Sequence, residues 1–459
     1  MNSYKRSIFI FRRDLRVDDN TGLDYALENS EYVIPCFIFD PRLIEKNDNF
    51  NPNSFQFLIE SLEDLKHQLN DKGAKLYLFH GIAENVVTNL INKNLIDAVF
   101  VNRDYTPFSK KRDEAFKKAC EMYNVDFISC NDLLLNNPDK IKTQKGTPYT
   151  VFTPFFKKAS KFDVNLPEMS SKQNFYTGKI ENELNDTDHF LKAKRNKPLY
   201  VKGGRSNALK ILENLDEFKN YENERDYPFL DATTGLSAHN KFGTISIREF
   251  YYTVIDKLGI SHPLITQLYW RDFYTYLAHH YPYIFKQSFK KKFDSIEWDN
   301  DSDKFKKWCA GETGFPIVDA GIREMNYTGY MHNRVRMITA SFLVKDLHID
   351  WKWGEQYFAR KLVDYDKSVN IGNWQWSAST GPDAQPFFRI FNPWSQQKKF
   401  DSECIYIKKW IEELRNVSCK SIHNLENKNT FIPGYPEPII NHKTEREKSL
   451  AVFRLANQK

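Results

Sequence analysis

The sequence predicts an α/β N-terminal domain built on a doubly wound parallel sheet, followed by an all-α C-terminal domain. Three observations carry this reading. The first ~130 residues alternate short β-branched and aromatic runs with amphipathic helical stretches. Strand signals largely vanish after residue 199. All nine Trp (Trp270, Trp298, Trp308, Trp351, Trp353, Trp374, Trp376, Trp394, Trp410) fall in the second part of the chain. A chain of 459 residues suits two or three domains. The expected divisions are 1–135 for the α/β domain, 136–199 for an interdomain connector and 200–459 for the helical domain.

The expected strands are 7–11 (SIFIF), 32–39 (YVIPCFIF), 75–79 (KLYLF), 98–101 (AVFV) and 125–129 (VDFIS). Between them, 53–69, 82–90 and 109–122 carry apolar residues at three- and four-residue steps. Strands alternating with helices make a parallel, doubly wound sheet. No GxGxxG follows the first strand, so the ordinary dinucleotide fingerprint is absent. The charged segment FRRDLRVDDN (11–20) stands there instead, and its spacing predicts a salt-bridged surface loop. Residues 165–198 are polar and aperiodic, as a connector should be. Beyond it, 207–214, 247–258, 266–279, 317–325, 335–347 and 353–362 read as helices, and no internal repeat is visible.

Lys+Arg is 66 against 60 for Asp+Glu, a net charge of +6. That supports a local cationic face and excludes a polybasic binder. A hydrophobic fraction of 41% with 27% charged residues excludes a disordered chain. No apolar run approaches the ~18–20 residues that span a bilayer, and the N-terminal apolar stretch is too short for a signal-peptide core. No membrane association is expected. The expected location is cytoplasmic, nucleoid-associated, or nuclear in a eukaryote. Six scattered Cys form no CxxC pair and no His stands at zinc spacing, so reduced, buried thiols and no metal are expected.

Several segments carry chemistry. DATTGLSAHNKFG (231–243) gathers hydroxyls and glycines into a turn before a helix near residue 244. Such a turn can cradle phosphate, although for the motif in isolation a capped helix start is the preferred reading. QLYWRDFYTYLAHHYP (267–282) places Trp270, Arg271, Phe273 and Tyr274 on one helix, a stacking surface or a core stripe. MHNRVRM (331–337) puts Asn333, Arg336 and Met337 on adjacent helix faces, a set that suits a flat heteroaromatic ring. Asp364 and Asp366 are natural partners for Arg336, and Asn370 with NWQW (373–376) follows within two turns.

Together these segments resemble the photolyase/cryptochrome family of flavoproteins over nearly the whole chain. FRRDLRVDDN, NRDYTPF (102–108), TGLSAHNKFG, LYWRDF, WCAGETGFPIVDAGIR (308–323), MHNRVRMITASFLVKDL and NWQWSASTGPDAQPFFRIFNP stand in family order at family-like separations. MHNR with NWQW is closest to the class I cyclobutane pyrimidine dimer photolyases. The resemblance implies that the helical domain is an FAD-binding domain. Tyr221, Thr233, Thr234, Gly235, Leu236 and Ser237 would hold the phosphates and adenosine. Arg271, Asn333, Arg336, Asp364, Tyr365, Asp366 and Asn370 would surround the flavin and its chain, with Asn370 beside N5. Trp374, Trp351 and Trp298 match the family's electron-hopping chain, and Trp353 is left as packing or a branch.

The implied partner is UV-damaged DNA, repaired by a monomer after base flipping. Trp270 and Trp376 would stack on the flipped pyrimidines, Asn333 would bond a base edge and Met337 would floor the pocket. Arg225, Arg389, Gln396 and Lys398 would contact the DNA backbone. One position departs from the family: Gln267 stands where class I enzymes usually carry Glu. A glutamine donates and accepts hydrogen bonds but supplies no acidic proton, and Gln here also occurs in (6-4) enzymes, so (6-4) activity stays open. His332 lacks the partner arrangement of the (6-4) histidine pair. A cryptochrome-like photoreceptor and a flavin redox enzyme unconnected with DNA are the other readings. For a second, antenna chromophore, Thr106-Pro107 replaces the acidic residue of the folate-binding class. Folate, deazaflavin, flavin or no antenna remain open.

Overall fold

The computed structural model describes residues 3–45, 50–94, 96–184, 198–427 and 431–458. Of the polar stretch 165–198, residues 185–197 lie outside the described residues. The chain divides into two compact units. The first comprises Met1–Asn196, Val201–Lys219 and Thr234–Pro282; the second comprises Lys197–Tyr200, Asn220–Thr233 and Tyr283–Lys459.

The first unit is built on five strands, β1 (Tyr4–Phe11), β2 (Ser30–Phe39), β3 (Tyr77–His80), β4 (Ala98–Asn102) and β5 (Asp126–Cys130). All pair in parallel in the order β3-β2-β1-β4-β5, the doubly wound topology expected. Alternate residues explain why each run is apolar throughout. Ile8, Ile10, Ile34, Cys36, Tyr77, Val99 and Val101 point to one face, against Val87 and Leu90 of helix Ala83–Asn94 and Phe116 of helix Pro107–Met122. Phe9, Phe11, Phe37 and Phe39 are buried on the other. A helix over Thr21–Asn29, hidden from the periodicity by the charged segment before it, is capped by Asn20, whose side chain accepts from the Leu23 N–H at 3.2 Å.

The charged segment after β1 is not a surface loop. Asp14, Arg16, Asp19 and Asn20 are all at most 5% exposed. Arg16 binds Asp132 at 2.6 Å and donates to the Gly243 carbonyl; Arg248 binds Asp132 at 2.8 Å and Asp19 at 2.9 Å. Asn102, the last residue of β4, donates to Asp14 at 2.6 Å and to Asn20 at 2.7 Å. Arg13 reaches Asp104 and the Lys241 carbonyl, while Arg12 pairs with Asp113. The strand order reverses between β1 and β4, where doubly wound sheets place a ligand crevice. Here paired charges follow both strands at that point. Charge density misled the surface reading, because each charge has a buried partner.

The second unit is helical. It includes Pro316–Thr328, Asn333–Ser341, Trp351–Lys361, Lys367–Ser377, Pro393–Phe400 and His442–Gln458. The helix expected over 335–347 changes pitch in a π-helical turn at Phe342–Asp346. Of the six free thiols, Cys36, Cys120 and Cys404 are buried as expected, whereas Cys130, Cys309 and Cys419 are partly exposed. Among the described residues, no helix is long and apolar enough to cross a membrane.

The lattice after β1 makes a direct prediction. Burial alone would raise the Asp132 pKa, but Arg16 and Arg248 hold it well below the usual carboxylate range. Asp132→Asn leaves two arginines undercompensated and should cost ~3–5 kcal/mol in urea unfolding at pH 7. Because the folded pKa is depressed, this stabilisation is complete above the unfolded value of about 3.9 and drains as pH falls below it. The gap between the native protein and Asp132→Asn should therefore narrow at pH 3; a constant gap would contradict the ionic origin.

Candidate functional site

In the first unit, helix Pro263–His280 starts on a capping His262 with proline in its first turn. It carries Gln267, Trp270 and Arg271, all half-buried. Arg271 is fixed on three sides, donating to Leu133 O at 2.9 Å and Asn240 O at 3.4 Å and pairing with Asp272 at 3.0 Å. Asp272 also accepts from Leu135 N. Burial pushes its carboxyl up to about 6 despite Arg271. Trp270 stacks on Phe152 with centroids 3.6 Å apart and planes 8° from parallel, so one indole face is taken within the unit.

The Thr234–Ser237 turn closes through Thr234 Oγ1, which accepts from Leu236 N at 3.3 Å. Gly235 sits at φ +65°, where a side chain would be strained. A short helix, Ser237–Phe242, follows at once, and the next begins at Ile247 rather than near 244. Thr106 caps helix Pro107–Met122, its hydroxyl accepting from Ser109 N at 3.2 Å. Asp139, His279 and His280 bring metal-ligand atoms within 4.8 Å of one another. Asp139 is already paired with Arg103 at 2.6 Å and with His279 at 2.9 Å, so this grouping reads as a hydrogen-bonded cluster.

In the second unit, Arg336 donates to Met331 O at 2.7 Å and pairs with Asp364 at 3.0 Å. Burial works against its charge, but Asp364 raises its pKa. Asp366 caps helix Lys367–Ser377, accepting from Ser368 N at 3.0 Å and Val369 N at 3.3 Å. Asn333 and Met337 lie one turn apart on the same helix face, the amide nitrogen 3.8 Å from the thioether sulfur. Arg225 sits over the Tyr221 ring at 5.5 Å. Thr233 and Gln396 are half-buried, and Arg389 and Lys398 are exposed.

Glu355 is the residue that sequence reasoning missed. Its Oε1 accepts from Asn370 at 3.1 Å and from the Tyr365 hydroxyl at 3.0 Å. Burial raises its pKa, opposed by these hydrogen bonds. The signal was an acid at helical spacing between the apolar Trp351 and Phe358. Glu324 was missed as well. It accepts from Tyr406 at 2.5 Å and from His332 N at 3.3 Å, and burial lifts its carboxyl to about 7. His332 caps helix Asn333–Ser341 through Nδ1, and burial lowers its pKa to about 4. It is thus a neutral capping group.

Trp374 and Trp351 are each 2% exposed, whereas Trp298 and Trp376 are partly exposed. Gln375, between the two tryptophans of NWQW, accepts from Phe289 N at 2.8 Å and donates to Ile284 O at 3.0 Å and Gln287 O at 3.1 Å. This fixes the roll of helix Lys367–Ser377. Gly354 makes room for the Trp374 ring, which a Cβ there would overlap.

Arg336, Asp364, Tyr365 and Asn370 are half-buried although their neighbours Val335, Val363 and Ile371 are at most 2% exposed. Polar groups held in fixed orientation among buried apolar ones fit a heteroaromatic ring with carbonyls and ring nitrogens, as FAD carries. A parallel-sheet domain with a helical flavin domain defines the class of photolyase-type flavoproteins. Residues 264–455 match the FAD binding domain of DNA photolyase, and residues 7–171 match the DNA photolyase domain. The chain is 35% identical to the deoxyribodipyrimidine photo-lyase of Alkalihalophilus pseudofirmus over 97% of both chains. Among solved structures, it is similar to the archaeal photolyase of Sulfolobus tokodaii, which holds two FAD molecules with the implication of a novel light-harvesting cofactor. That match has 42% identity, a TM-score of 0.90 and coverage of 98% of this chain and 100% of the other. It is also similar to the cryptochrome of Synechocystis sp. PCC6803, at 25% identity and TM-score 0.89, covering 98% and 99%. The chain belongs to the DNA photolyase family, with FAD as its cofactor.

Gly354→Ala tests the Trp374 seat. Overpacking there should cost ~1–3 kcal/mol, read as a lower melting temperature together with a changed near-UV circular dichroism signal from the displaced indole. A variant with native stability and native near-UV signal would show that the helix yields instead.

Proposed function

We propose that the protein repairs cyclobutane pyrimidine dimers in DNA in a light-driven reaction. The observation that carries this is the near full-length similarity to deoxyribodipyrimidine photo-lyases, at 35% identity over 97% of both chains. It favours repair over signalling, since the cryptochrome is less similar, at 25% identity. When bound, FAD would supply the light-driven chemistry, lending one electron to the lesion and recovering it once the dimer has split.

The chain's own residues bind, orient and exclude water. Tyr221, Thr233, Thr234, Gly235, Leu236 and Ser237 hold the cofactor's phosphates and adenosine. Arg271, Arg336, Asp364, Tyr365 and Asp366 hold its ring and chain. Glu355 orients the Asn370 amide toward N5, and Arg336 offers a cation whose position Asp364 fixes. Trp270 and Trp376 stack on the flipped bases, Asn333 bonds a base edge and Met337 closes the floor. Arg225, Arg389, Gln396 and Lys398 contact phosphates and supply affinity without sequence preference. Trp374, Trp351 and Trp298 pass electrons inward to reduce the cofactor. A flavin antenna is the second-chromophore reading we favour, because the similar Sulfolobus tokodaii photolyase holds two FAD molecules.

Two measurements test this. Photoreduced protein, illuminated with DNA containing one defined thymine dimer, should restore thymines; repair of a (6-4) lesion alone would overturn the lesion assignment, and repair of neither would favour a photoreceptor. In the same assay Gln267→Glu should repair faster, and an unchanged rate would make the departure immaterial. Trp374→Phe should abolish photoreduction of the bound flavin; retention of the native rate would remove Trp374 as first donor.

A further inference from the structure

Two of the six thiols, Cys404 and Cys419, meet in the second unit. Cys404 is fully buried and Cys419 is partly exposed. Cys404 stands at φ +51°, the left-handed region that a non-glycine residue seldom adopts. The buried Asp401 holds it there. The Asp401 carbonyl accepts from Cys404 N at 2.9 Å, and its carboxylate accepts from Tyr406 N at 3.0 Å and Ile407 N at 2.9 Å. The Cys419 thiol donates to the carbonyl of Glu403, the residue before Cys404, at 3.2 Å. It is thereby brought into hydrogen-bonding contact with the Cys404 thiol.

An imidazole completes the group. Gln397 Nε2 donates to His423 Nδ1 at 2.9 Å, and His423 Nε2 donates to Ser402 O at 2.8 Å. An amide nitrogen only donates and a carbonyl only accepts, so these two bonds fix an imidazole with its proton on Nε2. That N–H also faces Cys404 Sγ, at 3.5 Å. Gln397 is fully buried in helix Pro393–Phe400, between Gln396 and Lys398. Its Oε1 has no hydrogen-bond partner among the described residues, so the amide is held through Nε2.

We propose that Cys404 and Cys419 are a peroxide-responsive pair whose disulfide loosens helix Pro393–Phe400 and so weakens DNA binding. The effect on DNA rests on the reading of Gln396 and Lys398 as contacts to its backbone. The oxidant is hydrogen peroxide. The Cys419 thiolate attacks one peroxide oxygen and the O–O bond breaks, leaving a sulfenic acid at Cys419; the second oxygen departs as hydroxide and takes a proton from solvent. Cys404 Sγ then attacks Cys419 Sγ. The S–S bond forms, the S–O bond breaks, and the departing hydroxide takes the Cys404 proton to give water. Peroxide is reduced by two electrons, one from each sulfur, and a small dithiol reverses the change by exchange.

Burial sets the order of events. It raises the Cys404 pKa, and the contact with Cys419 adds to this. Cys404 therefore stays protonated and shielded, and peroxide meets the exposed Cys419 first. The His423 N–H beside the Cys404 sulfur stabilises negative charge there as it attacks. Once bonded to Cys419, Cys404 Sγ turns from His423, and the Cys419 sulfur gives up Glu403 O. His423 then loses a partner on the side opposite Gln397, which frees the amide at the centre of the helix.

The test treats flavin-loaded protein with hydrogen peroxide in the dark, blocks free thiols, digests with trypsin without reductant and measures DNA affinity in parallel. Trypsin cuts after Lys399, Lys408, Arg415 and Lys420, so the bridge joins two separate peptides, 400–408 and 416–420. The linked pair should appear with peroxide, vanish with a small dithiol and be absent in Cys419→Ser. Affinity for DNA containing a thymine dimer should fall severalfold on oxidation and recover with dithiol. It should keep its reduced value in peroxide-treated Cys419→Ser and Cys404→Ala. Absence of the linked peptides would overturn the pair, and linked peptides with unchanged affinity would overturn its effect on DNA binding. Native affinity in reduced Lys398→Ala would instead overturn the contact reading on which that effect rests.

Discussion

The first unit depends on a buried lattice of arginines and carboxylates. Arg16 and Arg248 share Asp132, Arg248 adds Asp19, and Asn102 ties Asp14 to Asn20. Asp14, Asp19 and Asn20 follow β1, Asn102 ends β4 and Asp132 follows β5. Arg248 stands in helix Ile247–Leu258, far along the chain. One cluster thus joins the ends of three strands to the segment Thr234–Pro282, which carries the Thr234–Ser237 turn and the Gln267–Arg271 face. Buried ion pairs seldom add much stability over apolar packing, but a broken one is costly. Such a lattice makes this segment's position nearly all-or-none.

In the second unit two adjacent residues do comparable work. Gly354 gives the Trp374 ring its seat, and Glu355 holds the Asn370 amide. Asn370 and Trp374 are one turn apart on helix Lys367–Ser377, so one helix fixes the other through a steric contact and a hydrogen bond. The first contact sets separation and the second sets rotation, with Gln375 securing the far side. The amide and the indole are thereby oriented as a pair.

Much of this was legible in the sequence, for identifiable reasons. A central parallel strand is apolar on both faces, so SIFIF and AVFV announce themselves, and helices such as Ile247–Leu258 follow from periodicity alone. FRRDLRVDDN was misread because a sequence displays its charges but not their partners; Arg248 and Asp132 lie too far along the chain to be paired with it by spacing. Glu355 was passed over for the related reason that a lone acid on a tryptophan-rich helix has no local partner, and its partners Tyr365 and Asn370 belong to the next segment. Asp366 looked like a mate for Arg336, but its carboxylate caps a helix, a role set by the turn before Lys367. The site residues themselves came from the order of seven motifs, since none is distinctive by composition.

The missed residues also change the electrostatic picture around Arg336. Burial lifts Glu324 to about 7 and raises Glu355, while it lowers His332 to about 4. Burial thus works against the charged form of all three groups, although the sequence writes two acids and a base. Beside them Arg336 and Asp364 form an ion pair, 3.0 Å apart. A carboxylate with its full charge at Glu355, hydrogen-bonded to Asn370, would repel negative charge brought to that amide. Burial disfavours that charged form, while the hydrogen bond still orients the amide. The interior of the second unit therefore pairs a fixed arginine with acids whose charged forms burial opposes, so its electrostatics are set by burial as much as by the residues' formal charges.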